Sequence, residues 1–130
     1  MYEMKPEYYT GIEEIDAEHA KLFEIANEAH EVLTNQFIPD KYDYIIKVVE
    51  DLRDYALYHF TNEEAYMEKV GYRRLLSQKI DHAEFMEKMN EFNPESIDEN
   101  QKESLLELLD YVASWLVEHI LKKDKLIGEI

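Results

Sequence analysis

Apolar residues recur along this chain at steps of three and four, in four separate stretches. That is the period at which one face of an α-helix returns. The first stretch predicts a helix from about Glu14 to Gln36, after a turn at Gly11, with Ile15, His19, Leu22, Ala26, Ala29 and Leu33 on its inward stripe. The second predicts a helix from about Asp40 to Lys69, carrying Ile45, Val49, Leu52, Ala56, His59, Glu63 and Met67. Pro39-Asp40 supplies its start, since Pro ends the loop and Asp can cap, and Gly71 supplies its stop. The third runs from about Arg73 to Glu91, with Leu75, Gln78, His82, Phe85, Met89 and Phe92 along one face, and Asn93-Pro94 breaks it. The fourth runs from about Asp98 to Leu126 and presents Leu105, Leu108, Val112, Trp115 and His119. Lys122, Lys123 and Lys125 fall in its last turns, where cations complement the helix dipole. Four helices on short connections predict an all-α, antiparallel up-down-up-down four-helix bundle, forming one domain over residues 1–130.

Five of the seam positions carry the wrong chemistry for an ordinary core. His19, His59, Glu63, His82 and His119 stand where the periodicity calls for apolar side chains. Buried polar groups cost free energy unless something pairs with them. Their depth along the bundle follows from a rise of about 1.5 Å per residue. With antiparallel neighbours, these five and Gln78 all lie between roughly 7 and 15 Å from the same end. Nothing in the periodicity requires that agreement. His59 and Glu63 are four residues apart, so one face of the second helix offers both imidazole and carboxylate. Gln78 and His82 repeat the spacing on the third. Imidazoles and a carboxylate converging inside a bundle are what a metal site needs.

Composition narrows which metal and which partners. The chain has 130 residues, a formal net charge of −16 and no Cys. Thiolate zinc sites, iron–sulfur clusters and disulfides are therefore excluded, and a metal must be held by nitrogen and oxygen donors, as suits iron, manganese or zinc. The acid excess argues against nucleic acid and against an anionic membrane surface. No apolar run approaches transmembrane length and the start of the chain lacks a signal peptide's apolar stretch, so a cytoplasmic protein is expected. Oligomeric state is left open.

Other motifs carry less. Asp124 lies five residues after His119, so an ideal helix leaves it about 140° round from that histidine, and periodicity alone makes it solvent-facing. His30 shares the face of His19 but sits about 16 Å further along, too far to join the same site. There is no His-Glu-x-x-His run and no Glu-x-x-His run, which disfavours zincin and ferritin-like sites. The ten Tyr residues read as amphipathic surface and rim positions.

Three stretches together carry a family likeness: Gly11-Ile12-x-x-Ile15-Asp16-x-x-His19 with Leu22-Phe23, His59-Phe60-x-x-Glu63-Glu64-x-x-Met67, and Trp115-Leu116-x-x-His119-Ile120-x-x-x-Asp124. His82-x-x-Phe85 is a fourth, shorter match. In these the chain resembles the hemerythrin family in its single-domain bacterial form. The resemblance implies two iron ions, joined by an oxo or hydroxo bridge and by the carboxylates of Glu63 and Asp124. His19 and His59 would bind the iron that takes up O2, and His82 and His119 the other. It also implies an apolar O2 pocket near Leu22, Phe60, Trp115, Leu116 and Ile120, whose dryness would slow water and proton entry.

The chain departs from that pattern at one point. The family places a histidine four residues before the third-helix histidine, and Gln78 stands there. A neutral amide oxygen is a weaker ligand for iron than imidazole, so Gln78 is either a metal ligand or a residue behind the ligands. The resemblance with this change implies lower iron affinity and a shorter-lived oxygenated form. Two functions follow: a binding protein that carries, stores or senses O2, or a di-iron enzyme acting on peroxide, O2 or NO, with Gln78 opening a second iron position. A metal-free or zinc-bound helical interaction module is a third. The O2-binding reading is expected, because the resemblance is closest there and no substrate pocket beyond a small apolar one is suggested.

Overall fold

The computed structural model describes residues 2–34, 42–92 and 101–129. Four long helices dominate: α1 (Glu13–Leu33), α2 (Tyr42–Val70), α3 (Leu75–Asn90) and α4 (Gln101–His119). A π-helical turn (Ile120–Asp124) continues α4 into the short α5 (Lys125–Ile127). A 3-10 turn (Pro6–Tyr8) precedes α1. Among the described residues there is no strand, and no helix is long and apolar enough to cross a membrane. The expected ends at Gln36, Pro39-Asp40, Asn93-Pro94 and Asp98 lie outside the described residues. Arg73 and Arg74 belong to a turn, and α3 begins at Leu75.

Cross-helix pairs fix the antiparallel order. Tyr44 Oη donates to the Glu28 carbonyl near one end of the α1–α2 pair (3.3 Å), and His59 meets Glu18 near the other. Phe60 packs edge-on to Phe85 between α2 and α3 (5.5 Å), with His82 reaching back to Glu64. Between α3 and α4, Lys88 sits over the Tyr111 ring, while Lys123 donates to Ser77 Oγ. Numbers rise on one helix as they fall on its neighbour, as an up-down-up-down bundle requires.

Apolar burial is concentrated away from the polar seam. Ala29, Leu33, Ile45, Leu52, Met89, Leu105 and Leu109 are fully buried in one continuous cluster. Burying each large side chain is worth about 1.5–3 kcal/mol, so this half of the bundle can hold the helices together while the other half accommodates polar groups.

Local devices set the ends of the helices beside the polar layer. Asp16 accepts from Thr10 N (2.8 Å), Thr10 Oγ1 (2.8 Å) and Gly11 N (3.1 Å), which folds the preceding loop onto the first turn of α1. Gly71, at φ +70°, closes α2: its N–H donates to the Glu68 carbonyl and that of Tyr72 to Met67. This is the left-handed helix stop expected of glycine, and it sends the chain directly back into α3. Gly128 is small for a different reason. A Cβ there would overlap the Thr10 carbonyl oxygen, so only glycine lets the end of the chain lie against the loop before α1.

The fourth helix differs from the sequence expectation. Periodicity alone predicts a regular α-helix through Leu126 with Asp124 facing solvent, whereas the family resemblance makes Asp124 a ligand; the backbone widens into the π turn at Ile120–Asp124. A π turn bonds residue i to i+5, so the fifth residue returns toward the starting face. Asp124 is consequently buried, 1% exposed, on the same side as His119.

Candidate metal centre

His19 of α1, His59 and Glu63 of α2, His82 of α3, His119 at the end of α4 and Asp124 of the π turn meet in one buried layer. The layer expected from helical rise therefore exists, and Asp124 joins it through the widened turn. The donors fall into two sets whose atoms lie within 4.8 Å of one another: His19, His59, Glu63 and Asp124, and Glu63, His82, His119 and Asp124. Both carboxylates are common to the two sets.

Each carboxylate divides its oxygens between them. Glu63 Oε2 faces His59 Nε2 (3.3 Å) and His19 Nε2 (3.7 Å), while Oε1 faces His82 Nε2 (3.1 Å). Asp124 Oδ2 faces His19 Nε2 (3.1 Å), and Oδ1 faces His119 Nε2 (3.2 Å). Each set thus has two imidazole nitrogens and one oxygen from each acid.

These donors fit a cation better than they fit each other. Both Glu63 oxygens, Asp124 Oδ2 and the Nε2 atoms of His19, His82 and His119 are buried without a hydrogen bond. A buried polar atom left unpaired costs about 1–3 kcal/mol, and a charged one more. Several such atoms pointing into one small volume form a donor set that a cation would satisfy.

The electrostatics agree. Burial alone would lower His59, but Glu18 and Glu63 outweigh it and lift it to about 9. Burial is likewise overcome at His19 by Asp124 and Glu63, and at His82 by Glu63 and Glu64, so both rise above the ordinary imidazole value. Burial would raise Glu63, yet His19, His59 and His82 hold it well below the usual carboxylate range. The layer draws in positive charge, and without metal, protons supply it.

Around the ligand candidates stands a second group of acids that the sequence reading did not nominate. His59 Nδ1–H donates to Glu18 Oε1 (2.8 Å), and Asn62 holds the other Glu18 oxygen (2.7 Å). His82 Nδ1–H donates to Glu64 Oε2 (2.8 Å). His119 Nδ1 lies 3.7 Å from Asp81 Oδ2, which also pairs with Lys123 (3.4 Å). A carboxylate on Nδ1 fixes the tautomer and aims Nε2 inward. His19 Nδ1 has no such partner. Glu18 carried a readable signal, since it is three residues from Ile15 and four from Leu22 and so shares the buried stripe. Glu64 neighbours a seam position and stood out only as part of the His59-Phe60-x-x-Glu63-Glu64 stretch, and Asp81 carried no signal.

The remaining candidates are placed as follows. Gln78 is buried in the layer, with its amide Nε2 donating to Asp124 Oδ1 (3.1 Å). Phe60 stacks on His82 (4.0 Å between centroids, 8° apart) and Trp115 on His119 (4.4 Å, 12°). Leu22, Leu116 and Ile120 are buried in the apolar cluster that Trp115 flanks. His30 is half-buried and packs edge-on against Tyr2, as an ordinary packing residue does.

Comparison with known proteins points the same way. The sequence profile of the hemerythrin HHE cation binding domain matches residues 10–130. A bacteriohemerythrin of Clostridium acetobutylicum is 45% identical over 125 residues, covering 96% of this chain and 97% of that protein. One from Pseudomonas aeruginosa is 32% identical over 116 residues, covering 88% of this chain and 71% of its own. One from Methylococcus capsulatus is 29% identical over 126 residues, covering 94% and 89%. With the profile spanning nearly the whole chain and a relative this similar along its full length, the protein belongs to the hemerythrin family.

Proposed function

We propose that this protein binds O2 at two iron ions held by His19, His59, His82, His119, Glu63 and Asp124, acting as a carrier, store or sensor. One observation carries the reading: two buried four-donor sets share both carboxylates, and each acid turns one oxygen to each set. Such an arrangement suits a pair of like-charged cations that need acids between them. The all-nitrogen-and-oxygen donor set suits non-haem iron, which family membership also supports. A ferrous pair, when bound, supplies the two electrons that reversible O2 binding draws on.

The chain's own groups do the rest. His19 and His59 would hold the cation on the α1 side, and Glu18 keeps the His59 ring in one orientation. Phe60 stacks on His82 and Trp115 on His119, and with Leu22, Leu116 and Ile120 of the apolar core they would limit the entry of water and protons. Glu63, with three imidazoles around it, stays ionised despite its burial and remains a ligand at neutral pH.

Gln78 favours a second reading, an enzyme acting on peroxide, O2 or NO, because it leaves the His82–His119 set with no more imidazoles than the other. One experiment separates the two. Iron-loaded, anaerobically reduced protein is exposed to O2 and then evacuated. A coloured adduct that reverses under vacuum supports O2 binding. Prompt irreversible oxidation with multiple turnovers of peroxide supports the enzyme, and protein that retains no iron eliminates both.

A further inference from the structure

Two oxygens of Asp124 have to face two different cation positions, and the backbone alone does not ensure that they do. The π turn brings the side chain inward, but a carboxylate can still rotate about its last bond. In this chain Oδ2 faces His19 and Oδ1 faces His119, and Oδ1 also accepts from the Gln78 amide at 3.1 Å. The Gln78 amide turns its Nε2 to this acceptor, and its Oε1 is buried without a hydrogen bond. An ionised acid accepts hydrogen bonds and donates none, so a flipped Gln78 would set oxygen against oxygen. Gln78 is itself 1% exposed, and its backbone N–H is tied to the Arg74 carbonyl in the first turn of α3, so the amide is held from a firm base.

We propose that Gln78 is a positioning residue for Asp124 and not a metal ligand. Its N–H fixes the plane of the Asp124 carboxylate, keeping one oxygen with His119 and the other with His19. An imidazole in its place would add a nitrogen ligand on the His82–His119 side. With glutamine, the two donor sets stay matched at two imidazoles and two carboxylate oxygens each. This inference rests on the metal centre proposed above.

The test is anaerobic Co2+ titration of metal-free protein, followed by the visible ligand-field spectrum, in the wild-type chain and in Gln78→Met and Gln78→His. Band intensity falls as the coordination number of Co2+ rises, so the spectrum reports ligands gained or lost. Gln78→Met should still bind two Co2+ with band intensity unchanged, the His82–His119 site losing about 10–100-fold in affinity, as removal of such supporting hydrogen bonds does. Gln78→His should lower the intensity of one site and tighten it. If Gln78→Met raises the intensity while Gln78→His leaves it alone, glutamine is a ligand and the inference fails. Wild-type affinity at both sites in Gln78→Met also overturns it. A wild-type chain that takes up no Co2+ overturns the metal centre itself and this inference with it. Circular dichroism melts of the metal-free variants, expected within a few degrees of wild type, show that the readout is not loss of fold.

Discussion

His119 Nε2 lies 3.2 Å from Asp124 Oδ1, although five residues separate them along the chain. A regular helix would hold them about 140° apart. The π turn at Ile120–Asp124 closes that angle and delivers the only acid outside α2 that both donor sets share among the described residues. Asp124→Ala should therefore weaken both cation positions, whereas His119→Ala should weaken one. Metal content after gel filtration distinguishes them: fewer than one equivalent retained by Asp124→Ala, about one by His119→Ala. Equal losses would mean the carboxylate is not shared.

Protons and metal compete for the same atoms. In the metal-free chain His59 sits at about 9, above its ordinary 6.5, so its contribution to stability is complete below pH 6.5 and is lost as pH rises through 9. Glu63 is held well below its ordinary 4.5, so its contribution is complete above pH 4.5 and is lost as pH falls through its depressed value. The metal-free melting temperature should decline between pH 6.5 and 9. The metal-loaded protein should not follow it, since ligation needs the neutral imidazole. Adding Co2+ to weakly buffered metal-free protein near pH 7.5 should release protons, and a pH-stat measures how many.

Glu18→Gln keeps the size of the side chain and removes the charge facing His59 Nδ1. The His59 titration, followed by NMR in the metal-free chain, should drop from about 9, because Glu18 is the foremost group raising it. Metal affinity at the His19–His59 position should fall about 10–100-fold. An unshifted titration would remove Glu18 from the account.

Chelation should destabilise the bundle without unfolding it. A ligand present at a hundredfold excess over its dissociation constant contributes about 2.7 kcal/mol to the native state. For a chain of this length that corresponds to a melting-temperature difference on the order of 10 °C. Thermal melts with ferrous ion and with EDTA, both anaerobic, check it; coincident melts would argue against a buried metal pair.

Ile45→Ala supplies the complementary control. Ile45 is fully buried in the apolar cluster, fourteen residues before His59 and so roughly 20 Å from it along α2. Emptying that space should cost about 2–5 kcal/mol. Chemical denaturation should reveal the loss while metal stoichiometry stays at the wild-type value.

How far the sequence alone reaches is clearest at His82 and Asp124. Apolar steps of three and four fixed which face of each helix turns inward, and a constant rise per residue fixed depth. His19, His59, Glu63, Gln78, His82 and His119 could therefore be assigned to one layer before any coordinates, because inside a regular helix both quantities are linear in residue number. Asp124 escaped that reasoning because its burial depends on a change of helical pitch, which apolar periodicity does not encode; only the motif likeness pointed to it. The partners of the ligand candidates were out of reach for a related reason. Whether Glu18 meets His59, Glu64 meets His82, or Gln78 meets Asp124 depends on how neighbouring helices are rotated and on which rotamers their packing allows. Those are pairwise properties of the assembled bundle, settled when four amphipathic faces close over one another and absent from any single stretch of chain.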